Sequence, residues 1–373
     1  MRDDLTGRLT TGSADFAATV RPASPEAIRA RGNRRRRRQM LTAAALALAI
    51  GAGGAGTAYA SLGQPGRAGH GAPATGPTPA SSAATGSDRP DIVAVTAHGA
   101  LVVLDPLSGE ARRILVAAGV AGTGVSVSPD GRTAYFAARH GCQDEIESVP
   151  VTGGRPRMIT PGVLPAVSPD GKKLAFARER PSGAPAGCGY PRRDDQVVVR
   201  ALAGGQETVL TSGYGAARPV PATRLSWSPD SQRLLVTAGP APDSGSWTLA
   251  VVDPATSRYY TPSVKNGGTL VPPGNGYYYR DAAYLPDGDL FVNRVCCTGT
   301  PHRTTSTLLL EIDPRGHLIH QVAIGFLDRV HTSLGADRSG HWLLYLSGPD
   351  LFLSLDGAAP FKLTTGLAAA AWS

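Results

Sequence analysis

The chain has 373 residues with 46 glycines, 31 prolines and a formal net charge of +8. This composition favours many short strands joined by turns, in one large or two ordinary domains. Residues 1–39 hold ten arginines against four acidic residues, so the rest of the chain is nearly neutral. A near-neutral body excludes the basic footprint of a nucleic-acid-binding protein.

Residues 1–39 form a short polar segment that ends in the arginine run 34–38. The positive-inside rule places this segment in the cytoplasm. Two interpretations stay open for it. It is either a long orientation signal, or the cytoplasmic tail of a single-pass regulator whose sensor domain lies outside.

Residues 40–60 contain no charged side chain and have roughly the length of ~20 residues that crosses a bilayer as a helix. One interpretation is a transmembrane signal-anchor. The other is a signal peptide cleaved after Ala60, since Ala58 and Ala60 supply small residues at the cleavage site. Both place the C-terminal part outside the cytoplasm, as a single-pass membrane protein or as a secreted one.

Residues 61–88 consist mainly of Gly, Pro, Ala, Ser and Thr. Such a segment buries too little apolar surface to offset the entropy of ordering its chain. We therefore expect a disordered linker here, followed by a folded part over residues 89–373.

A repeated phrase organises the folded part. Ser128-Pro-Asp-Gly131 joins two alternating strands, and similar phrases occur within 166–177 and 225–236. Ser, Pro and Gly at these positions are typical of a type I turn followed by a left-handed glycine. Further copies lie at 285–288 and, degraded, at 337–340. Units of about 40 residues or more, with four strands each, predict a β-propeller.

The two ends of the folded part determine the number of blades. Residues 370–373 match the first strand of a unit, and the chain ends where the turn is expected. Three more strands are predicted at 90–96, 100–105 and 112–115. The fold-class prediction is therefore an all-β, six-bladed propeller, closed by pairing the C-terminal strand with the N-terminal strands so that no sheet edge is left free.

The phrase Ser-Pro-Asp-Gly-x-x-(Leu/Ala)-x-Phe, present at 128–136 and 168–176, resembles TolB-like, WD-repeat-related propellers. The resemblance covers about residues 89–373 and implies an extracytoplasmic protein-binding platform. TolB itself has a separate N-terminal domain where this chain has the predicted linker, so a role in a Tol–Pal system does not follow. The bias toward Arg over Lys, and toward Ala and Gly, is typical of a high-GC bacterium.

In such blades the Ser-Pro-Asp-Gly turns lie on one face of the disc. The connections between second and third strands, and those between blades, lie on the other face. The residues that we expect on this second face as ligand candidates are His98, His140, Arg192, Arg193, His302 and His331.

The four cysteines fall in the same connections, and outside the cytoplasm they indicate disulfides. Cys142 and Cys188 occupy equivalent places in neighbouring blades, which predicts that they pair. Cys296 and Cys297 are adjacent, so a bond between them would close a strained eight-membered ring, and both redox states stay open. No spacing such as C-x2-C indicates a metal site, and no cofactor is expected.

The repeated aspartates, Asp130, Asp170, Asp230 and Asp287, have a structural explanation as turn residues. No Gly-x-Ser-x-Gly motif of an α/β-hydrolase is present. The favoured hypothesis is a monomeric, non-enzymatic binding or scaffold module that presents a loop face to an envelope protein or a glycan. The alternatives are a single-pass regulator and a propeller enzyme with a His/Cys metal site on that face.

Overall fold

The computed structural model describes residues 90–141, 143–179, 195–210, 222–239, 248–256, 258–260, 263–264, 268–269, 278–295, 306–313, 317–326, 333–356 and 358–373. The predictions for residues 1–39, 40–60 and 61–88 lie outside these residues and stay predictions. Within the described ranges, no helix has the length and apolar character needed to cross a membrane.

The described residues form six antiparallel four-stranded sheets, which we number as blades in chain order. Blade 1 contains β1 (Ile92–Thr96), β2 (Leu101–Leu104), β3 (Ala111–Val116) and the last strand, β26 (Leu367–Trp372). Blade 2 contains β4 (Val120–Val127), β5 (Thr133–His140), β6 (Gln143–Pro150) and β7 (Arg157–Pro161). Blade 3 contains β8 (Val163–Val167), β9 (Lys173–Glu179), β10 (Asp195–Ala201) and β11 (Glu207–Leu210).

The other three blades follow the same order. Blade 4 contains β12 (Ala222–Trp227), β13 (Leu234–Ala238), β14 (Thr248–Asp253) and β15 (Arg258–Tyr260), and it is followed by a two-stranded ribbon of β16 (Ser263–Val264) and β17 (Gly268–Thr269). Blade 5 contains β18 (Tyr278–Tyr284), β19 (Leu290–Val295), β20 (Ser306–Ile312) and β21 (Leu318–Phe326). Blade 6 contains β22 (Leu334–Ala336), β23 (Trp342–Ser347), β24 (Asp350–Leu355) and β25 (Phe361–Thr364). The six sheets confirm the predicted all-β, six-bladed propeller.

Blade 1 combines strands that are far apart in the sequence. β26 pairs with β1 in an antiparallel register that places Trp372 opposite Ile92 and Ala369 opposite Val95. The amide of Ser373 also donates a hydrogen bond of 2.8 Å to the carbonyl oxygen of Asp91. This pairing satisfies the inner edge of β1, which would otherwise present free backbone groups.

The core lies between the blades, where alternating side chains of consecutive sheets pack together. Phe136 of blade 2 packs with Val93 and Leu101 of blade 1. Leu344 and Leu353 of blade 6 likewise pack with blade 1. Each buried side chain of this size contributes about 1.5–3 kcal/mol relative to its exposed state, so the packing between blades is a large stabilising contribution.

The two faces of the propeller differ in the length of their connections. On one face, here called the turn face, first strands join second strands in blades 2 to 6 and third strands join fourth strands in all six blades, through four to six residues. On the other face, here called the loop face, second strands join third strands and one blade joins the next. The loop-face connections range from the single residue 162 to the long stretches 180–194, 211–221, 261–277 and 296–305.

Candidate functional site

The repeated aspartates on the turn face are engaged in their own turns. The hydroxyl of Ser228 donates a 2.5 Å hydrogen bond to Asp230, whose Oδ1 also accepts the amide of Gln232 at 3.0 Å. Ser128 and Asp130 repeat this contact at 2.5 Å. The hydrogen bonds from Ser128 and Ser228 hold the pKa of Asp130 and Asp230 below the ordinary value of an aspartate. These carboxylates therefore act in the turns, in agreement with the sequence prediction.

The innermost strands line a central channel that contains a cavity of about 240 Å³. Arg224, on β12, is one of the residues that line this cavity. Its Nε lies 3.4 Å from Oδ1 of the buried Asp281 on β18, and its Nη2 donates to the carbonyl oxygen of Leu334 on β22. Arg224 thus connects blades 4, 5 and 6 at the channel, which is a structural role.

Two of the predicted ligand candidates, His98 and His140, lie on the loop face of neighbouring blades. His98 is exposed in the turn between β1 and β2, and His140 is exposed at the end of β5. Backbone hydrogen bonds connect the β1–β2 turn and the end of β5 through residues 119 and 120. The amide of Val120 donates to the carbonyl oxygen of Gly99 at 3.0 Å, and the amide of Arg139 donates to that of Gly119 at 2.8 Å. Both histidines therefore lie at connections between second and third strands, and their role as ligand residues stays a prediction.

The other predicted site residues lie outside the described part of the chain. They are the ligand candidates Arg192, Arg193, His302 and His331, and the cysteines Cys142, Cys188, Cys296 and Cys297. The disulfide between Cys142 and Cys188 and the state of the Cys296–Cys297 pair stay predictions.

His140 is part of a group of three polar side chains that the sequence alone did not indicate. Its Nε2 lies 3.0 Å from Oε1 of Glu147 and 4.0 Å from Oε2 of Glu145. One ligand atom from each of the three residues can be chosen so that all lie within 4.8 Å of one another. We refer to His140, Glu145 and Glu147 as the His-Glu-Glu cluster.

The register of the β5–β6 hairpin produces this cluster. Glu145 lies opposite Ala138, and Glu147 lies opposite Phe136. Residues two apart on a strand share a face, so His140 follows Phe136 and Ala138 on the same face as both glutamates. The signal in the sequence is His-x4-Glu-x-Glu around a two-residue turn, but only the register shows that the three side chains converge.

A second group of possible ligands lies on the turn face of blade 5 and contains carboxylates alone. It consists of Asp287, Asp289 and Glu311, of which Asp289 and Glu311 are buried. Each of these carboxylates also has other interactions in the fold. The His-Glu-Glu cluster differs from this group because it combines an imidazole with carboxylates and is open to solvent.

No protein-family model matches the chain, and the curated proteins include no match to it. Among solved structures, the chain is similar to TolB from Acinetobacter baumannii, with a TM-score of 0.52 and 15% sequence identity. The match covers 75% of this chain and 66% of that TolB. At this identity the similarity shows a fold shared with TolB and no more.

Two further matches have lower TM-scores. A chain of the nidogen/laminin complex matches with a TM-score of 0.48 and 12% identity, over 75% of this chain and 97% of the other. An oligogalacturonate lyase in complex with manganese matches with a TM-score of 0.47 and 12% identity, over 71% of this chain and 70% of the other. A propeller fold does not imply one function, so the function has to be argued from the surface of this chain.

Proposed function

We propose that this protein is an extracytoplasmic, non-enzymatic binding or scaffold module whose loop face binds an envelope protein or a glycan. The observation that carries the proposal is the contrast between the two faces. Turn-face connections have four to six residues throughout, whereas loop-face connections reach the lengths of 180–194 and 261–277. Binding residues are concentrated on long loops of a rigid scaffold, because the sequence and length of a loop can change without disturbing the packing of the core.

The polar groups of the turn face and the channel support this assignment, since they have structural partners. The aspartates of the repeated phrase accept hydrogen bonds from their own turns. Arg224 pairs with Asp281 and donates to Leu334. On the loop face the side chains of His98, Arg139 and His140 are exposed to solvent, and Arg139 and His140 also pair with Asp144 and Glu147.

The extracytoplasmic location is part of the proposal and is supported by the uncharged segment 40–60 behind the arginine run 34–38. Retention of residues 1–60 in the mature chain would favour the single-pass regulator, since the tail and the propeller would stay connected. Cleavage after Ala60 would separate the two and leave an exported binding module. The N-terminal sequence of the mature protein distinguishes these outcomes.

Site-specific photo-crosslinking tests the binding face. A photoreactive amino acid replaces His98 or Arg139 on the loop face of the full-length chain, produced in its native cells. Matched variants carry the same amino acid at Arg132 or Gln232, which are exposed on the turn face. We expect loop-face variants to yield one recurrent adduct, and turn-face variants to yield none.

Mass spectrometry of the adduct identifies a protein partner, and sensitivity of the adduct to glycan-degrading enzymes identifies a glycan. Equal adducts from both faces, or adducts from the turn face alone, would contradict the assignment of the loop face.

A further inference from the structure

We propose that His140, Glu145 and Glu147 bind a divalent transition-metal ion, for which Zn²⁺ is the first probe. The inference does not depend on the proposed function, because it rests on the geometry of one hairpin. It rests on three properties of the His-Glu-Glu cluster: the spacing of its ligand atoms, its charge and its access to solvent.

The spacing suits a metal ion. Zinc binds imidazole nitrogen and carboxylate oxygen at about 2.0–2.2 Å, so two ligand atoms at a tetrahedral angle lie roughly 3.4 Å apart. Nε2 of His140 lies 3.0 Å from Glu147 and 4.0 Å from Glu145, on either side of this value. Since one ligand atom from each of the three residues lies within 4.8 Å of the others, the side chains have to move only by about an ångström to surround one ion.

The charge of the cluster also favours a cation. Two carboxylates held close together repel each other. Within the described residues, His140 is the basic side chain that contacts Glu145 and Glu147. The neighbouring Arg139 instead pairs with Asp144 at 3.1 Å, and these two residues alternate to the opposite face of the strands. A divalent ion would neutralise both glutamates at once.

The scaffold holds the two carboxylates while leaving the imidazole accessible. The side chains of Glu145 and Glu147 are 22% and 14% exposed, whereas that of His140 is 55% exposed. Both glutamates lie within β6, which pairs with β5 and β7. An ion can therefore enter from solvent, and three protein ligands leave a coordination position for water or for a group of a bound partner.

The mixed set of donors selects the class of metal. Imidazole suits zinc and other first-row transition metals, whereas carboxylates alone suit magnesium and calcium. Two other histidines provide an internal comparison, since each has one carboxylate partner among the described residues: His317 lies 3.1 Å from Asp313, and His341 lies 2.6 Å from Asp356. A single His–carboxylate pair forms a hydrogen bond, while the His-Glu-Glu cluster offers a third ligand.

The test uses the full-length chain, stripped with EDTA and with any free thiols alkylated, and titrated with ZnCl₂ by calorimetry. The wild-type protein, which has all three ligand residues, should bind one zinc ion per chain. His140→Gln and Glu147→Gln should weaken binding by at least about tenfold, the lower bound found when even a supporting residue of a metal site is removed. His341→Gln, the matched control from a pair with one carboxylate, should bind as the wild type does.

Two further measurements keep the proposal open to refutation. Thermal melting of each variant without metal establishes that it is folded, and the visible spectrum of the Co²⁺ form reports nitrogen and oxygen ligation directly. Cys142→Ser, at a position two residues after His140 and outside the described residues, should leave binding unchanged. Unaltered zinc affinity in His140→Gln, or loss of binding in Cys142→Ser or His341→Gln, overturns the proposal. Absence of zinc binding by the wild type overturns it as well.

Discussion

In each Ser-Pro-Asp turn, the serine hydroxyl donates a hydrogen bond to the aspartate and accepts one from a backbone amide across the turn. Ser168, which is fully buried, accepts the amide of Lys173 at 2.9 Å and donates to Oδ1 of Asp170 at 2.5 Å. Burial raises the pKa of Asp170, but the hydrogen bonds from Ser168 and from the amide of Lys172 outweigh it, so the net pKa is lowered. The turn thus stabilises the ionised carboxylate and closes the hairpin with a single side chain.

Replacement of this hydroxyl should therefore cost stability. We expect Ser168→Ala to lower the free energy of unfolding by about 1–2 kcal/mol, because it leaves the part-buried amide of Lys173 without its hydroxyl acceptor. Urea denaturation of the full-length chain measures the change. The control is Ser108→Ala in an exposed turn, where Ser108 accepts the amide of Glu110 at 3.3 Å. The control should change by less than about 0.5 kcal/mol. Equal effects at both sites would mean that burial does not decide the contribution.

At the scale of elements, one turn of blade 1 lies directly against blade 6. Gly109, between β2 and β3, has a φ of +72°, and a Cβ added to it would lie 2.7 Å from the carbonyl oxygen of Leu363 on β25. Glycine is required here for two reasons, the left-handed backbone and the close approach of a neighbouring blade. Gly204, with a φ of +83° and no atom within 4 Å of such a Cβ, shares the first reason only.

The pair separates backbone strain from the contact between blades. Gly204→Ala should lower the free energy of unfolding by about 1–2 kcal/mol, the cost of a left-handed alanine. Gly109→Ala should lower it by roughly a further 1–3 kcal/mol, because the methyl group overpacks the junction with blade 6. Thermal and urea unfolding measure both variants. If both variants lose the same free energy of unfolding, blade 6 accommodates the added methyl group without strain, and the junction between blades 1 and 6 is loosely packed.

The strands were predictable from the sequence because their signals are local. The expected strand at 90–96 appears as β1 over Ile92–Thr96, and the one at 112–115 appears as β3 over Ala111–Val116. Alternation of apolar side chains and the chemistry of the turns depend on neighbours within a few residues. The number of sheets followed from the five copies of the repeated phrase together with the strands predicted at the two ends of the folded part.

The contacts that cross between strands or blades were not predictable in the same way. The approach of Glu145 and Glu147 to His140 depends on the register of the hairpin. The pairing of Arg224 with Asp281 depends on which blades meet at the channel. Strand order places His98 and His140 at connections on the loop face, but it did not show which side chains meet there.

We assign different roles to the two faces of the propeller. Four exposed histidines allow both faces to be compared within one chain: His98 and His140 on the loop face, and His317 and His341 on the turn face. All four carry an imidazole that diethyl pyrocarbonate modifies where the ring is accessible. The turn-face histidines therefore serve as an internal control when a partner protects the loop-face histidines from modification.

The most direct measurement is therefore histidine footprinting of the full-length protein, in isolated cell envelopes and after purification, with EDTA present so that metal at His140 does not contribute. If a partner covers the loop face, His98 and His140 should be modified several-fold more slowly in the envelopes than in the purified protein. His317 and His341, on the turn face, should react equally in both samples. Equal reactivity of His98 in both samples, or protection confined to His317 and His341, would contradict a binding role for the loop face.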